Sequence, residues 1–97
     1  MPIASPRYAF TATMVSGAPP DPGVLALWEG EELIYYGRAQ SIHARLQEHR
    51  GGADPCTARA THYGWEISSN PPMREADLLR EHQRAHGRLP RCNIRFA

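Results

Sequence analysis

Bulky and small residues alternate over residues 8–15, with Tyr8, Phe10 and Met14 among the larger side chains, which predicts an extended N-terminal strand. Residues 16–23 then interrupt regular structure, because three prolines remove backbone donors and two glycines loosen the chain. Two short runs follow, residues 24–28 and 33–36, parted by Glu29-Gly30-Glu31, and read as a β-hairpin. Ser41 is placed to cap a helix whose inward stripe begins with Ile42 and Leu46, and Gly51-Gly52 with Pro55 ends it. Residues 61–67 alternate cleanly: Thr61, Tyr63, Trp65 and Ile67 share one face, His62, Gly64 and Glu66 the other, as in a half-buried strand. Asn70 with Pro71-Pro72 opens a second helix that runs to about His86 and stops at Gly87, with Pro90 beyond. The sum is a small α+β domain. Its core is a three-stranded, mostly antiparallel sheet built as β-hairpin, helix, strand, helix, with flanking helices and an additional N-terminal strand.

Ninety-seven residues suit one domain spanning 1–97, with room for a modest core. The formal charge of +1 hides an uneven arrangement. Acidic side chains gather at Glu29, Glu31 and Glu32, whereas Arg38, Arg45 and Arg50 follow the tyrosine pair Tyr35-Tyr36. All eleven basic residues other than histidine are arginines, which suits bidentate contact with phosphate. A coding bias would produce the same preference. Near-neutral net charge argues against a protein that coats nucleic acid blindly to sequence. No apolar run approaches the roughly 20 residues needed to span a bilayer, and the N-terminus lacks a secretory pattern, so a cytoplasmic location is expected. Cys56 and Cys92 stand far apart, each without a cysteine neighbour, and are most simply read as free thiols.

A strand ending in Tyr35-Tyr36-Gly37-Arg38 and leading into a helix that carries Arg45 and His49 gathers a phenol, two guanidinium groups and an imidazole near one strand end. That set suits a phosphodiester. Gly23-Val24-Leu25 followed by Tyr35-Tyr36-Gly37 resembles the paired motifs of the GIY-YIG nuclease superfamily. Arg38-Ala39, Ser41-Ile42 and Arg45-Leu46 are similar to that family's helix start, and Arg45 falls on its arginine. His49 matches a histidine of the homing-endonuclease branch. Glu75 with Leu78-Leu79 resembles the metal-binding glutamate element, and Pro90 to Asn93 the closing motif with its asparagine. The resemblance covers about residues 23–93, in order.

The resemblance implies a one-metal phosphodiesterase acting on DNA, single- or double-stranded, with Mg²⁺ or Mn²⁺ as cofactor. Tyr35, Arg38, Arg45 and Glu75 would be catalytic; Arg38, Arg45, His49 and Asn93 would contact nucleic acid; Glu75 would hold the metal. A tyrosine of pKa about 10 is a poor base at neutral pH unless cations favour the phenolate. The residues themselves support Glu75, since Leu78 and Leu79 lie three and four positions on and turn it toward the sheet.

Two departures stand out. Leu25 replaces the tyrosine that ends the family's first motif, and Tyr63 or Tyr8 would have to supply the lost phenol. The interval from Glu75 to Asn93 is also long for a compact member, which leaves Glu81 as a rival ligand. His82 and His86 have helical metal-ligand spacing, but zinc would need Cys92 as well. The competing readings are a nuclease fold that binds nucleic acid without cleaving it, and an interaction domain that meets a protein partner or a second copy of itself.

Overall fold

The structure, a computed structural model, describes residues 2–93. Its elements in chain order are β1 (Tyr8–Ala9), α1 (Ala12–Val15), β2 (Gly23–Glu29), β3 (Glu32–Ala39), α2 (Ile42–Arg50), β4 (His62–Ile67) and α3 (Pro71–His86), with 3₁₀ turns at Thr57–Arg59 and Arg91–Asn93. The strands form one antiparallel sheet in the order β1-β4-β2-β3. The expected three-stranded core is thus β4-β2-β3, and β1 is the additional N-terminal strand.

The N-terminal strand is shorter than the alternation suggests. Thr11 is extended and its hydroxyl accepts from the Met14 amide, which caps α1 and turns residues 12–15 into a helical turn. Tyr8 and Phe10 still serve the sheet, each ring packing on Tyr63. The hairpin carries a bulge. Leu27 faces Tyr35 and Trp28 faces Leu33, so Ile34 is the extra residue. The bulge puts Ile34 and Tyr35 on one face of the sheet, and Tyr36, next along the pleat, on the other.

Each face is buried by one helix. Leu25, Leu27, Ile34 and Tyr35 pack with Ile42 and Leu46 of α2, while Val24, Ala26, Trp28 and Tyr36 pack with Leu78 of α3. Gly23 allows the first contact: a Cβ there would lie 2.2 Å from the Glu66 carbonyl oxygen and 2.8 Å from Ile42 Cδ1. Ser41 caps α2 and Asn70 caps α3, each side chain accepting an amide three residues on.

The cysteines are not free thiols. Cys56 and Cys92 form a disulfide with Cα atoms 5.7 Å apart. The turn after α2 and the segment after α3 come together against the α2 face, where Cys92 is buried. That proximity is tertiary, so residues 36 apart in sequence gave no sign of it. Closing a loop of that length stabilises the fold by about 4 kcal/mol in the chain-entropy account.

β3 is an edge strand, and Asn93 takes the place of a fifth strand beside it. Its Oδ1 accepts from the Tyr36 amide at 2.9 Å and its Nδ2 donates to the Tyr36 carbonyl at 2.8 Å. No helix of the described residues is long and apolar enough to cross a membrane.

Candidate active site

The end of β3 and the first turns of α2 and α3 meet around an open cleft of about 730 Å³. Arg38 and Arg45 line it, together with Pro22 and with Pro71 and Pro72 at the start of α3. Two helix N-termini reach this cleft, but their first-turn amides are spent within the chain: Ile42, His43 and Ala44 donate to the Asp21 carbonyl, the Pro19 carbonyl and Ser41 Oγ, Pro71 and Pro72 carry no N–H, and Met73 donates to Asn70 Oδ1. Arg38 is exposed, and among the described residues no carboxylate lies within ion-pairing distance of its guanidinium. Arg45 donates through Nη1 to Glu48 Oε1 at 3.0 Å. That pair is half exposed, with side chains 46% and 57% accessible, so it is weak and a phosphate can displace it.

Glu75 stands on the second turn of α3. Its Oε2 accepts from the backbone N–H of Arg38 at 3.0 Å, which pins the carboxylate to the end of β3 beside the cleft. One carboxylate oxygen is held by the strand. The arrangement brings together two cationic side chains and two carboxylates: Glu48 on the cleft wall, paired with Arg45, and Glu75 just beside the cleft.

Tyr35 lies below this group, in the core. A Cβ on Gly37 would sit 2.5 Å from its Cε2 and 2.7 Å from its hydroxyl, so the ring runs over Gly37 toward the cleft end of β3. Only glycine leaves that path open. His49 packs against the same ring, with centroids 5.0 Å apart. Its Nδ1 lies 2.7 Å from the hydroxyl of Thr57, which is fully buried and also reaches the Asp54 carbonyl at 3.3 Å. With the Thr57 proton directed to that carbonyl, the hydroxyl oxygen accepts from His49 Nδ1–H.

Solved structures of the GIY-YIG N-terminal endonuclease domain of UvrC from Thermotoga maritima share this architecture. A magnesium-bound form matches with a TM-score of 0.67 at 20% identity, over 84% of this chain and 93% of that one. Two point mutants bound to the catalytic divalent cation match at 0.68 and 21% identity, over 86% and 93%. The chain has the GIY-YIG fold. No family model matches the sequence, and no curated protein does.

Within the GIY-YIG fold the sequence-named residues separate into three places. Arg38 and Arg45 line the cleft, and Glu75 is fixed beside it by the Arg38 amide. Tyr35 and His49 lie in the α2-face core. Asn93 sits on the outer edge of β3, where both ends of its amide are bonded to Tyr36. Leu25 is fully buried directly opposite Gly37, so apolar packing fills the position of the family's first-motif phenol. Neither proposed substitute reaches it. Tyr63 donates its hydroxyl to the Met14 carbonyl at 2.7 Å, and Tyr8 stacks on Tyr63 at the far edge.

Tyr36 faces α3, and its pKa is raised by burial and then by Glu81, against an opposing pull from Arg74. It stays a neutral phenol. Glu81 is placed at that phenol, deeper along α3 than Glu75. The zinc reading fails, because Cys92 is spent in the disulfide and the described residues contain no group of three metal-ligating side chains. Sequence reasoning missed Thr57 and the backbone contact made by Glu75. The turn after Pro55, Cys56-Thr57-Ala58-Arg59-Ala60, carries no periodicity that would mark one hydroxyl.

Proposed function

We propose that this chain is a divalent-metal-dependent endonuclease-like domain that hydrolyses phosphodiester bonds in DNA with little intrinsic sequence specificity. The observation that carries this reading is Glu75, pinned by the Arg38 amide beside a cleft that holds the Arg38 and Arg45 side chains. Glu48 on the cleft wall is offset by Arg45, whereas Glu75 has no ion pair among the described residues, and a bound cation beside it would offset its charge. A single carboxylate fits Mg²⁺ or Mn²⁺, hard ions that complete their shell with water and phosphate oxygens. Glu75 would hold the ion, which supplies Lewis-acid stabilisation of the phosphoryl and leaving oxygens when bound.

The chain's own groups account for the remainder. Arg38 and Arg45 bind the phosphate and are aimed at charge that grows in the transition state. Tyr35 extends along β3 to the cleft end, and His49 holds its ring from below. Asn93 fixes the strand that carries both tyrosines, and nucleic-acid contact by His49 or Asn93 is secondary to these holding roles. The domain presents no separate base-reading element among the described residues, which limits sequence specificity. A cytoplasmic setting belongs to the same reading and would expose the Cys56–Cys92 bridge to reducing thiols.

One observation favours a second reading, a nuclease fold that binds nucleic acid or a protein partner without cleavage. Leu25 leaves the reaction centre one phenol short, and no described tyrosine replaces it.

The test incubates the chain with single- and double-stranded DNA in Mg²⁺ or Mn²⁺, beside Glu75→Gln and Arg45→Ala. Each substitution is expected to lower the cleavage rate by about 10²–10³-fold. Cleavage that survives both removes the proposed site. Salt-sensitive binding without cleavage, with a log–log slope reduced by about 1 in Arg45→Ala, selects the second reading.

A further inference from the structure

We propose that the Cys56–Cys92 disulfide is a redox-sensitive positioning device for Tyr35. It joins the two segments that hold the Tyr35-Tyr36 pair from different sides. The proposal rests on the reading of Tyr35 as a site residue.

Each cysteine immediately precedes one of the two anchors. Cys56 is followed by Thr57, whose buried hydroxyl bonds His49 Nδ1 at 2.7 Å, and the His49 ring packs on the Tyr35 ring. Cys92 is followed by Asn93, whose amide bonds both the N–H and the C=O of Tyr36. One anchor therefore controls the ring of Tyr35 through an imidazole, and the other controls the backbone one residue on. Both lie in 3₁₀ turns of three residues, Thr57–Arg59 and Arg91–Asn93, too short to hold their own geometry. The bridge is the covalent link between them. A disulfide needed only for stability could join any two loops. This one joins the two that converge on Tyr35 and the residue that follows it in β3.

The bridge can also be opened from outside, since Cys56 is half-buried whereas Cys92 is buried. A thiolate of a dithiol reductant attacks Cys56 Sγ, the S–S bond breaks, and Cys92 leaves as a thiolate that takes up a proton. The reductant's second thiol then closes on the mixed disulfide and releases the Cys56 thiol. The protein gains two electrons and two protons, and the reductant departs as its cyclic disulfide. Reduction frees Thr57 and Asn93 from each other but leaves Arg38, Arg45 and Glu75 in place.

The experiment compares the full chain oxidised, reduced with dithiothreitol, and as Cys56→Ser/Cys92→Ser. Expected on reduction are Tyr36 amide exchange at least about tenfold faster, a shifted His49 imidazole resonance, and unchanged DNA affinity. Where the chain cleaves, kcat falls by about tenfold with KM retained. In the oxidised chain, Thr57→Val reproduces the His49 shift and Thr57→Ser restores the parent resonance. Unchanged Tyr36 exchange and His49 resonance on reduction would overturn the proposal. So would loss of far-ultraviolet circular dichroism in the reduced chain, which would make the bridge a general staple. If the oxidised chain cleaves no DNA, the nuclease reading fails by itself, and the exchange and resonance measurements still decide the positioning role.

Discussion

The two faces of the sheet are built on different chemistry. On the α2 face, Leu25, Tyr35 and Ile34 pack with Ile42 and Leu46, and the polar groups present, His49 and Thr57, bond each other inside the core. On the α3 face, the apolar centre of Val24, Ala26, Tyr36 and Leu78 is flanked by charge. Glu66 grips Arg74 through two hydrogen bonds of 2.6 and 3.1 Å, and Glu75 is fixed to the end of β3. The faces meet at the cleft. The difference lets the buried position of Leu25 and the charged groups of the cleft satisfy separate physical demands. A buried phenol must find a hydroxyl partner, whereas Leu25 in the same place only has to exclude water, a gain of about 2 kcal/mol from burial. The charged side of the site lies near solvent and does not depend on that packing.

Gly37→Ala attacks the α2 face with the largest expected effect. The new methyl would lie 2.5–2.9 Å from two ring carbons and the hydroxyl oxygen of Tyr35, whose side chain is buried and packed on His49. Displacing that ring is expected to cost about 2 kcal/mol, as overpacking of a closed core does, read as a lower midpoint in chemical denaturation. Salt-dependent DNA binding should persist, because Arg38 and Arg45 face the cleft. A loss below about 0.5 kcal/mol would mean the ring moves aside freely, and the contrast between a rigid apolar face and an independent charged one would lapse.

The elements themselves were legible because their signals are local. Ser41 and Asn70 mark helix starts, Gly87 ends α3 at φ 76°, and the alternation from His62 to Ile67 needs no tertiary information. The nearness of Arg38, Arg45 and Glu75 was legible because they lie on elements that converge at one end of the sheet. The disulfide was not, since proximity of Cys56 and Cys92 exists only after α2 and α3 have docked. The strand expected over residues 8–15 stops early because the Thr11 side chain takes the Met14 amide, a local competition that the alternation does not register. The task of Asn93 was hidden for a third reason. Its backbone partner, Tyr36, is defined by strand order, and nothing in residues 90–93 says that β3 lies at an edge.

Glu66→Gln attacks the other face more mildly. The Arg74 guanidinium is held in its charged form above all by its hydrogen bond to Glu66, against a smaller desolvation cost. Its side chain is 21% accessible and that of Glu66 is 33%, so the pair is neither dry nor freely solvated. Neutralising one partner is expected to cost about 1 kcal/mol, less in high salt. The His49 resonance on the opposite face should not move. A shift there would show that the two faces are coupled through the sheet.

Tyr36→Phe has the smallest effect and sharpens the contrast through pH alone. Burial, then the Glu81 carboxylate, raises the Tyr36 pKa in the folded chain, with Arg74 pulling the other way. Below pH about 10 the phenol is protonated whether folded or unfolded, and it adds no pH dependence. Above that the unfolded chain releases its proton first, so the folded form binds more protons and stability falls as pH rises through the folded value. Tyr63 acts in the same direction, raised by burial and then by Tyr8. Tyr36→Phe removes one of these contributions, so equilibrium denaturation should show a flatter alkaline limb with little change at pH 7. An unchanged limb would mean that Tyr36 ionises as easily when folded, and the α3 face would then be wetter at its centre than Leu78 and Val24 imply.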